Sequence, residues 1–479
     1  MTAHLLPAIS LVFCACSLII ARFVYCPAKL RPLPSVPLIP TIISFLKGES
    51  EDVRTRRLVI PTARRHDAGL VRMWALGEWY VHIVDHKLGR LLMEKRDIYK
   101  QPARREMMFW RFTGSQSVFF ADGEKWANHS PAVRGVLRNH LPIDTFASLS
   151  RKLVSLLGDG GRICWSDYSH RFTLDVVGRA ILGHDFQSLD SPHNSLVKRY
   201  VDIMADISRP LYIAFPVLES ILPRHGLRAR VDALRAEFGH LLELKKHQSG
   251  DDYVSRLLDL SSMSDIEYLD NIVTMFMAGH DTTAGSLSTV FYYLARHPAF
   301  QSRARSEVME AMGVHGEPSV TLFQNTPFLN ACIREALRLN GPSVLTIPRL
   351  CDTPITLGNF IIPPQTPIAL NLYGVLHNET AWTSVNEYKP DRWLSRCDEE
   401  DSAWMPFSTG PRRCPATNFS LYEQRTLLAI VLRDFQWTLP ADSAHKEDLR
   451  NALSTFALNL PDNLELIFSR ISTSVEHAY

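Results

Sequence analysis

The sequence predicts a mainly α-helical protein with a minor β part: one large domain over residues 50–479, preceded by a single N-terminal transmembrane helix. Helical apolar spacing recurs in several long segments, whereas strand-like alternation and turn signals are confined to two short ones. The third observation is an uncharged apolar run at the N-terminus. The 479 residues, 46% hydrophobic and 21% charged, have ordinary globular composition and suffice for one large domain.

The clearest helix is predicted to begin near Ser264. Ser264 and Glu267 form a capping box, apolar residues follow at helical spacing, and Pro298 ends the pattern. At 1.5 Å per residue this helix would be roughly 50 Å long, enough to cross a whole domain. Helical spacing is also present in residues 173–182 and 231–246.

Two short segments favour β structure. Residues 71–84 alternate imperfectly and contain Gly77, which indicates an early hairpin. Between residues 353 and 370, a Gly358-Asn359 turn followed by two prolines predicts a small β unit.

Residues 1–26 are predicted to be a membrane anchor. No charged residue occurs from Leu5 to Ala21, and roughly 20 apolar residues are needed to cross a bilayer as a helix. A cleaved signal peptide and a buried core helix are the alternatives. The first lacks a preceding Lys or Arg and a clear cleavage site, and the second is disfavoured by the prolines that follow at once.

Residues 27–49 contain five prolines and are predicted to be a stiff hinge that leaves the membrane. Arg22, Lys29 and Arg31 follow the apolar run and no basic residue precedes it, which places the bulk of the chain in the cytosol.

Charge and cysteine usage exclude some classes of function. A formal net charge of +2 gives no global indication of nucleic-acid binding. The eight cysteines are scattered, with neither a CxxC pair nor zinc-type spacing, so they are predicted to be free thiols in a reducing compartment.

Inside the long helix lies the motif Ala278-Gly279-His280-Asp281-Thr282-Thr283. A glycine in a helix interior costs about 1 kcal/mol relative to alanine. Two interpretations stay open: a close helix crossing with Thr hydroxyls bonded to carbonyls four residues earlier, or a local opening where an acid and a hydroxyl pass protons to a small ligand.

Two further motifs are uninformative alone. Glu335 and Arg338 form an i,i+3 pair of opposite charge, which is usually a weak surface feature. Pro390-Asp391-Arg392-Trp393 is a short polar and aromatic loop.

The most unusual context is that of Cys414, in Phe407-Ser408-Thr409-Gly410-Pro411-Arg412-Arg413-Cys414-Pro415-Ala416. A lone cysteine is more often a small buried hydrophobe than a ligand. Here Gly and Pro shape a tight loop, and two arginines and a following helix N-terminus favour the thiolate. A thiolate with one open coordination position suits iron, and as an axial haem ligand it promotes O–O cleavage.

In this order and spacing the four motifs resemble the cytochrome P-450 superfamily, and the resemblance covers nearly the whole chain. FxxGxRxC is its most specific part, and AGxDTT, ExxR and PxRW agree with it. The resemblance implies the cytochrome P-450 fold with haem b, iron protoporphyrin IX, as cofactor.

The resemblance also implies a role for each motif. Cys414 would be the axial iron ligand, and Asp281 and Thr282 would deliver protons during oxygen activation. Glu335, Arg338 and Arg392 would form a structural charge network beneath the haem. The other residues expected at the haem are Ala278 and Gly279 along the oxygen groove, Phe407 and Gly410 in the cysteine loop, and Arg349, Arg412 and Trp126 at the propionates.

Two positions depart from the family pattern. Ser130 stands where W-x-x-x-R would place arginine, with His129 and Arg134 as candidate substitutes, and Ala416 replaces the usual glycine two residues after the cysteine. Both departures concern details of haem retention.

The function implied by the resemblance is a monooxygenase of the endoplasmic reticulum membrane with its catalytic domain in the cytosol. Electrons would come from NADPH through a flavoprotein reductase, with cytochrome b5 as an optional donor. The substrate would be a lipophilic small molecule such as a terpenoid or steroid, as in fungal secondary metabolism. A haem-dependent isomerase or dehydratase of the same fold, needing neither O₂ nor reductase, and a non-catalytic haem-binding scaffold are the alternatives.

Apolar residues in the segments that form the family's substrate pocket agree with a lipophilic substrate, and about half of them are expected to be ordinary core. They are Phe109, Trp110, Phe112, Phe119, Phe120, Val344, Leu345, Ile347 and the segment 456–458.

Overall fold

A computed structural model describes residues 25–95, 98–102, 107–139, 141–191, 195–248, 250–260, 262–313, 315–395, 397–454 and 456–471. All but the last two residues of the predicted anchor, 1–26, lie outside these ranges. Within them, the structure contains no helix with both the length and the apolar character needed to cross a membrane.

The described residues form a mainly helical domain with a small β part, as predicted. The α-helices are Leu38–Leu46, Glu51–Arg54, Ile60–Arg65, His86–Glu94, Met108–Thr113, Gly123–Asn139, Ile143–Leu157, Trp165–Val176, Ser195–Ile207, Pro210–Ala214, Leu218–Ile221, His225–Lys246, Tyr253–Leu260, Asp265–Arg296, Pro298–Met312, Val320–Gln324, Pro327–Asn340, Leu372–Leu376, Asp398–Ala403 and Thr417–Asp434. Shorter turns of π-helix occur at Thr55–Val59 and Val177–Leu182, and of 3₁₀-helix at Ala28–Leu30, Pro390–Trp393 and Gly410–Arg412.

In the described ranges, ten strands form three sheets. They are β1 Leu70–Ala75, β2 Glu78–Ile83, β3 Ile98–Lys100, β4 Gly160–Cys164, β5 Arg349–Cys351, β6 Ile355–Leu357, β7 Phe360–Ile362, β8 Ile368–Leu370, β9 Phe435–Thr438 and β10 Glu465–Arg470. The largest sheet has the order β1-β2-β8-β5-β3, the second β4-β10-β9, and β6 pairs with β7. Strand β3, which the sequence analysis did not predict, brings Lys100 opposite Arg349.

The predicted helix near Ser264 is confirmed as Asp265–Arg296, here called the central helix. The Glu267 carboxylate accepts a hydrogen bond of 2.8 Å from the Ser264 backbone N–H, one half of the predicted capping box. Most of the helix is buried, and it packs against helices Trp165–Val176 and Pro327–Asn340. It therefore forms the centre of the core, as its length predicted.

Both predicted β segments are confirmed. Strands β1 and β2 form an antiparallel hairpin in which Trp74 is opposite Trp79, and Gly77 has a φ of +82° in the turn. Strands β6 and β7 turn at Gly358, whose φ of +58° suits glycine.

The Pro-rich segment 27–49 differs from the predicted stiff hinge, because it packs on the folded domain. Leu33 and Phe45 are 3% and 4% exposed, and Ser35 forms a bridge to Arg72 on β1. The prolines here limit the segment to turns and one helix, Leu38–Leu46, which begins directly after Pro37.

Candidate functional site

The cysteine loop, residues 407–414, is a tight turn held by backbone contacts. The Cys414 backbone N–H donates to the Phe407 carbonyl at 3.0 Å, which closes the loop around a 3₁₀ turn at Gly410–Arg412. Gly410 has a φ of +72°, and a Cβ there would lie 2.6 Å from the Met93 carbonyl oxygen. Glycine is therefore required at this position for both reasons.

Two observations describe the setting of the Cys414 sulfur. The residue is exposed to solvent, yet burial raises the pKa of its thiol. The residue is therefore reachable by solvent although protein atoms surround its thiol. The Ala416 backbone N–H, the Arg413 charge and the Thr417 hydroxyl act in the opposite direction on this pKa, toward the thiolate.

The central helix presents a short accessible patch at the predicted motif. Ala278 is exposed although the helix is otherwise largely buried, and Thr282 is half-buried four residues later on the same face. The Thr282 hydroxyl donates to the Ala278 carbonyl at 2.7 Å, and the helix is continuous there. Of the two interpretations left open, the structure shows back-bonding and no local opening.

Gly279 has a packing role in this structure. A Cβ at Gly279 would lie 2.8 Å from Cγ2 of Val177, in the π-helical turn that crosses the central helix. This close crossing explains why a glycine is present here although glycine destabilises a helix interior.

Asp281 lies in a group of polar aromatic side chains. Its carboxylate is 3.0 Å from His280 Nε2 and 3.8 Å from His170 Nδ1, and accepts a hydrogen bond of 2.6 Å from the Tyr200 hydroxyl. Burial raises the pKa of Asp281, but His280, His170 and Tyr200 outweigh it, so the pKa is lowered overall. The acid is therefore held ionised by its neighbours.

Three cations and one carboxylate lie beside the cysteine loop. We call this group the cation cluster, and it consists of Lys100, Arg349, Arg412 and the carboxylate of Asp122. Lys100 and Arg349 stand directly opposite each other on β3 and β5, where like charges are destabilising. Arg412 donates to Asp122, and the Lys100 backbone N–H donates to the same carboxylate at 2.7 Å. Among the described residues, Arg412 forms an ion pair with Asp122, whereas the Asp122 charge acts on Lys100 and Arg349 without forming an ion pair.

The electrostatics of the cation cluster indicate an anionic ligand. Burial lowers the pKa of Arg349 and, with the charges of Arg349 and Arg412, lowers the pKa of Lys100 well below its ordinary value. Burial also lowers the pKa of Arg412 to about 10. Arg349 is 5% exposed and its Nε has no hydrogen-bond partner among the described residues. Buried cations are normally paired, so this group is suited to a further anion.

Trp126 lies between two arginines at the edge of this site. Its ring contacts the Arg412 guanidinium at 4.0 Å and that of Arg134 at 5.3 Å, and Arg134 donates to the Pro411 carbonyl. Ser130 is 4% exposed, so an arginine there would have to displace packed atoms. Of the two substitutes considered for the missing arginine, the geometry favours Arg134; Nδ1 of His129 is buried without a partner in the described chain.

Sequence reasoning missed Lys100 and Asp122. Strand β3 has three residues, which is too short for a period of alternation to identify it. The available signal was Asp122 itself, which directly precedes the Gly123-Glu124-Lys125-Trp126 motif.

Glu335, Arg338 and Arg392 form a buried charge network. Arg338 donates to both Glu335 carboxylate oxygens at 3.0 and 2.9 Å, and Arg392 Nε donates to Glu335 at 3.1 Å. Trp393 Nε1 donates to the same carboxylate at 3.0 Å. The pair that looked like a weak surface feature is 0% exposed on both sides, so its role is structural.

Comparison with known proteins agrees with this geometry. The family described as Cytochrome P450 matches residues 34–467. Cytochrome P450 monooxygenase xanG of Aspergillus fumigatus is 24% identical over 461 residues, 88% of this chain and 85% of that protein. Leukotriene-B4 omega-hydroxylase 3 of Mus musculus is 29% identical over 359 residues, 67% of this chain and 68% of that protein. The haem domain of cytochrome P450DA superposes with a TM-score of 0.79 at 20% identity, covering 91% of this chain and 97% of that chain.

The family match over residues 34–467 places this helical domain, with its cysteine loop beside the cation cluster, among the haem-binding oxidoreductases. The chain belongs to the cytochrome P450 family, and it is a monooxygenase with haem as cofactor.

Proposed function

We propose that Cys414 is the axial ligand of the haem iron and that the cation cluster, with Trp126, holds the haem propionates. The observation that carries this is the excess of buried positive charge next to a solvent-reachable cysteine: three cations around Asp122. Two propionates would supply the missing negative charge. A bound haem supplies oxygen activation, and the chain's own side chains bind, orient and exclude water.

Replacing Arg412 with alanine is expected to impair haem incorporation and to speed haem loss to an apo-globin acceptor. The change removes a charged donor and the contact with Trp126. Hydrogen bonds to charged groups contribute about 1.5–3 kcal/mol, which corresponds to roughly tenfold to hundredfold faster loss. Arg151→Ala, which breaks a surface pair with Glu317, is the matched control. Normal haem retention by the Arg412 variant would contradict the assignment.

The protein is proposed to insert one oxygen atom from O₂ into a lipophilic small molecule, with electrons from NADPH through a flavoprotein reductase. Aromatic side chains from distant segments support an apolar pocket: the ring centroids of Phe109 and Phe456 are 3.4 Å apart, and those of Trp110 and Phe120 are 4.7 Å apart. Phe112 and Val344 are fully buried core, as expected for part of this set. The names of several relatives, such as leukotriene-B4 omega-hydroxylase, agree with hydroxylation of a lipophilic compound.

The direct test is reconstitution in membranes with NADPH and a flavoprotein reductase, supplied with a panel of lipophilic natural products under ¹⁸O₂. One labelled atom per product molecule is expected. An isomerase or dehydratase would instead convert a hydroperoxide without NADPH, and would leave the product without label from ¹⁸O₂.

Changing Thr282 to alanine is expected to uncouple NADPH use from product formation and to release peroxide. We propose that the Thr282 hydroxyl, which lies on the same accessible helix face as Ala278, passes protons into the site. Such general acid–base assistance increases reaction rates about 10²–10⁴-fold. Thr274→Ala is the control, since Thr274 is 3% exposed on the same helix. NADPH, peroxide and product are measured together, and coupling equal to that of the unmodified protein would refute the role.

We also propose that the protein is anchored in the endoplasmic reticulum membrane with its catalytic domain in the cytosol. An exposed apolar surface supports this beside the apolar N-terminal run. Ile39 and Ile43, one turn apart on helix Leu38–Leu46, are 70% and 45% exposed, and this helix packs against helix Pro210–Ala214, where Leu211 is 49% exposed. Scattered exposed apolar residues are ordinary, but a contiguous group is typical of a membrane-facing surface.

Deleting residues 1–26 is expected to move the protein toward the soluble fraction while its carbon-monoxide spectrum is retained. Adding Ile39→Asp and Ile43→Asp should release the remainder, because charge at the surface opposes contact with lipid. Leu156→Asp is the control, since Leu156 is 42% exposed on a different helix. Loss of haem binding on deletion would mean that the segment is part of the fold.

A further inference from the structure

Three side chains of the kind that bind metal ions meet between two helices. They are His170 of helix Trp165–Val176 and His280 and Asp281 of the central helix. Each offers one ligand atom, and the three atoms, two imidazole nitrogens and one carboxylate oxygen, all lie within 4.8 Å of one another. The two helices pack directly against each other. The group therefore brings ligand atoms together from both sides of one helix–helix contact.

The His280 ring is oriented so that a bare nitrogen faces Asp281. Its Nδ1 lies 2.7 Å from the Phe276 carbonyl oxygen, and because a carbonyl can only accept, the ring proton is on Nδ1. Nε2 then presents a lone pair to Asp281 Oδ1 at 3.0 Å. Two lone pairs at this distance repel each other, so a cation between them stabilises the contact. Histidines that bind metal ions commonly donate the other ring N–H to a backbone carbonyl in this way.

The Asp281 carboxylate is held in place through its other oxygen. The Tyr200 hydroxyl donates to Oδ2 at 2.6 Å, while Oδ1 faces the two imidazoles. Tyr200 and His280 are 2% and 1% exposed, whereas the His170 side chain is 34% exposed. The group is thus fixed by buried partners and can be reached from solvent at His170.

Two of the three groups have the ionisation state that a metal ion requires. Burial lowers the pKa of His170, so its ring is neutral at pH 7. Burial raises the pKa of Asp281, but its neighbours outweigh this effect and the carboxylate is ionised, as described above. A neutral imidazole and a carboxylate are the forms in which these side chains bind metal ions.

We propose that His170, His280 and Asp281 form a Zn²⁺ site that joins helix Trp165–Val176 to the central helix. Zinc in proteins takes four tetrahedral ligands at about 2.0–2.2 Å, which places neighbouring ligand atoms about 3.3 Å apart. Asp281 Oδ1 is 3.0 Å from His280 Nε2 and 3.8 Å from His170 Nδ1, so the observed separations lie on either side of that value.

The donor set also agrees with zinc. Two imidazole nitrogens and one carboxylate oxygen are ligands that zinc accepts, with a water molecule in the fourth position. The Tyr200 hydroxyl and the Phe276 carbonyl would orient two of these ligands from outside the coordination sphere. This inference goes beyond the proposed function and does not rest on it.

The first experiment measures Zn²⁺ binding to the full-length haem protein in detergent, without a histidine tag, by competition with a zinc-sensitive fluorescent chelator. One zinc ion per chain is expected to bind. His170→Gln removes the half-exposed ligand and is expected to weaken binding at least about 10²-fold, since even residues that only orient a ligand contribute about 10–100-fold. His247→Gln changes an exposed histidine that follows helix His225–Lys246, and this matched control should bind zinc as the unmodified protein does.

His280→Gln is the second ligand variant and is expected to lose zinc binding to the same extent. The reduced carbon-monoxide spectrum of each variant verifies that the haem domain is folded. The proposal would be overturned by unchanged zinc affinity in the folded ligand variants, or by the absence of stoichiometric binding to the unmodified protein. In the second case the cation between Nε2 and Oδ1 is a proton.

The second experiment identifies the ligands by X-ray absorption at the zinc edge of the one-to-one complex. Nitrogen and oxygen neighbours at about 2.0–2.2 Å are expected, with the outer-shell scattering of two imidazole rings. A sulfur neighbour at about 2.3 Å would place the ion at a cysteine and overturn the proposal. Neither experiment depends on turnover, so a failure of the oxygenation test leaves the zinc site to be judged by its own data.

Discussion

Replacing Cys414 with alanine is expected to abolish the thiolate-type carbon-monoxide spectrum and all turnover. Cys414 is reachable by solvent and follows Arg412 of the cation cluster by two residues in the cysteine loop. Alanine offers no ligand atom there, and an axial thiolate is the source of the electron density that promotes O–O cleavage. The measurement is the reduced carbon-monoxide difference spectrum together with NADPH-dependent product formation.

Cys397→Ala is the matched control, because Cys397 is an exposed cysteine before the short helix Asp398–Ala403. It should leave both the spectrum and turnover unchanged. A thiolate-type spectrum in the Cys414 variant would mean that another residue binds the iron. Loss of all haem from that variant would agree with the assignment, whereas loss in both variants would indicate a folding defect unrelated to ligation.

The parts of the fold predicted from sequence are those specified by neighbouring residues. The start of the central helix follows from Ser264 and Glu267, which lie one turn apart, and its end from Pro298. The hairpin at Gly77 follows from a backbone conformation that glycine adopts readily. Such local signals do not depend on what the rest of the chain does.

The parts that could not be predicted depend on contacts distant in sequence. The role of Lys100 depends on Arg349, which is 249 positions away in the sequence. The two lie opposite each other because the three-residue strand β3 pairs with β5. The Pro-rich segment has the composition of a hinge, and its packing on β1 is decided by apolar partners such as Leu33. The fold class was thus predictable, whereas the charge balance around Asp122 required the tertiary structure.

The pair Glu335 and Arg338 is a second case in which the sequence alone did not predict the environment of the side chains. In sequence it is an ordinary i,i+3 pair, and in the structure it is fully enclosed. Two arginines and the Trp393 indole N–H donate to the one Glu335 carboxylate, and Arg338 also donates to the carbonyls of Leu376 and Val385. The carboxylate therefore joins helix Pro327–Asn340 to the Pro390–Trp393 turn and the segment before it.

Replacing Glu335 with alanine is expected to destabilise the fold by about 3–5 kcal/mol, because it leaves the Arg338 and Arg392 guanidiniums buried without their shared carboxylate. Since a domain is stable by only about 5–15 kcal/mol, little folded holoprotein should accumulate. The measurements are the yield of protein with a carbon-monoxide spectrum and the urea midpoint of the protein that is recovered.

Glu335→Gln should be milder but still severe, because the amide oxygen can accept from one arginine while the amide N–H₂ would face the other donors. Glu399→Ala, which removes an exposed surface partner of Lys87, should leave the urea midpoint of the unmodified protein unchanged. An unfolding midpoint of the Glu335→Ala variant equal to that of Glu399→Ala would show that the buried arginines find other partners, and that the network is not what holds these segments together.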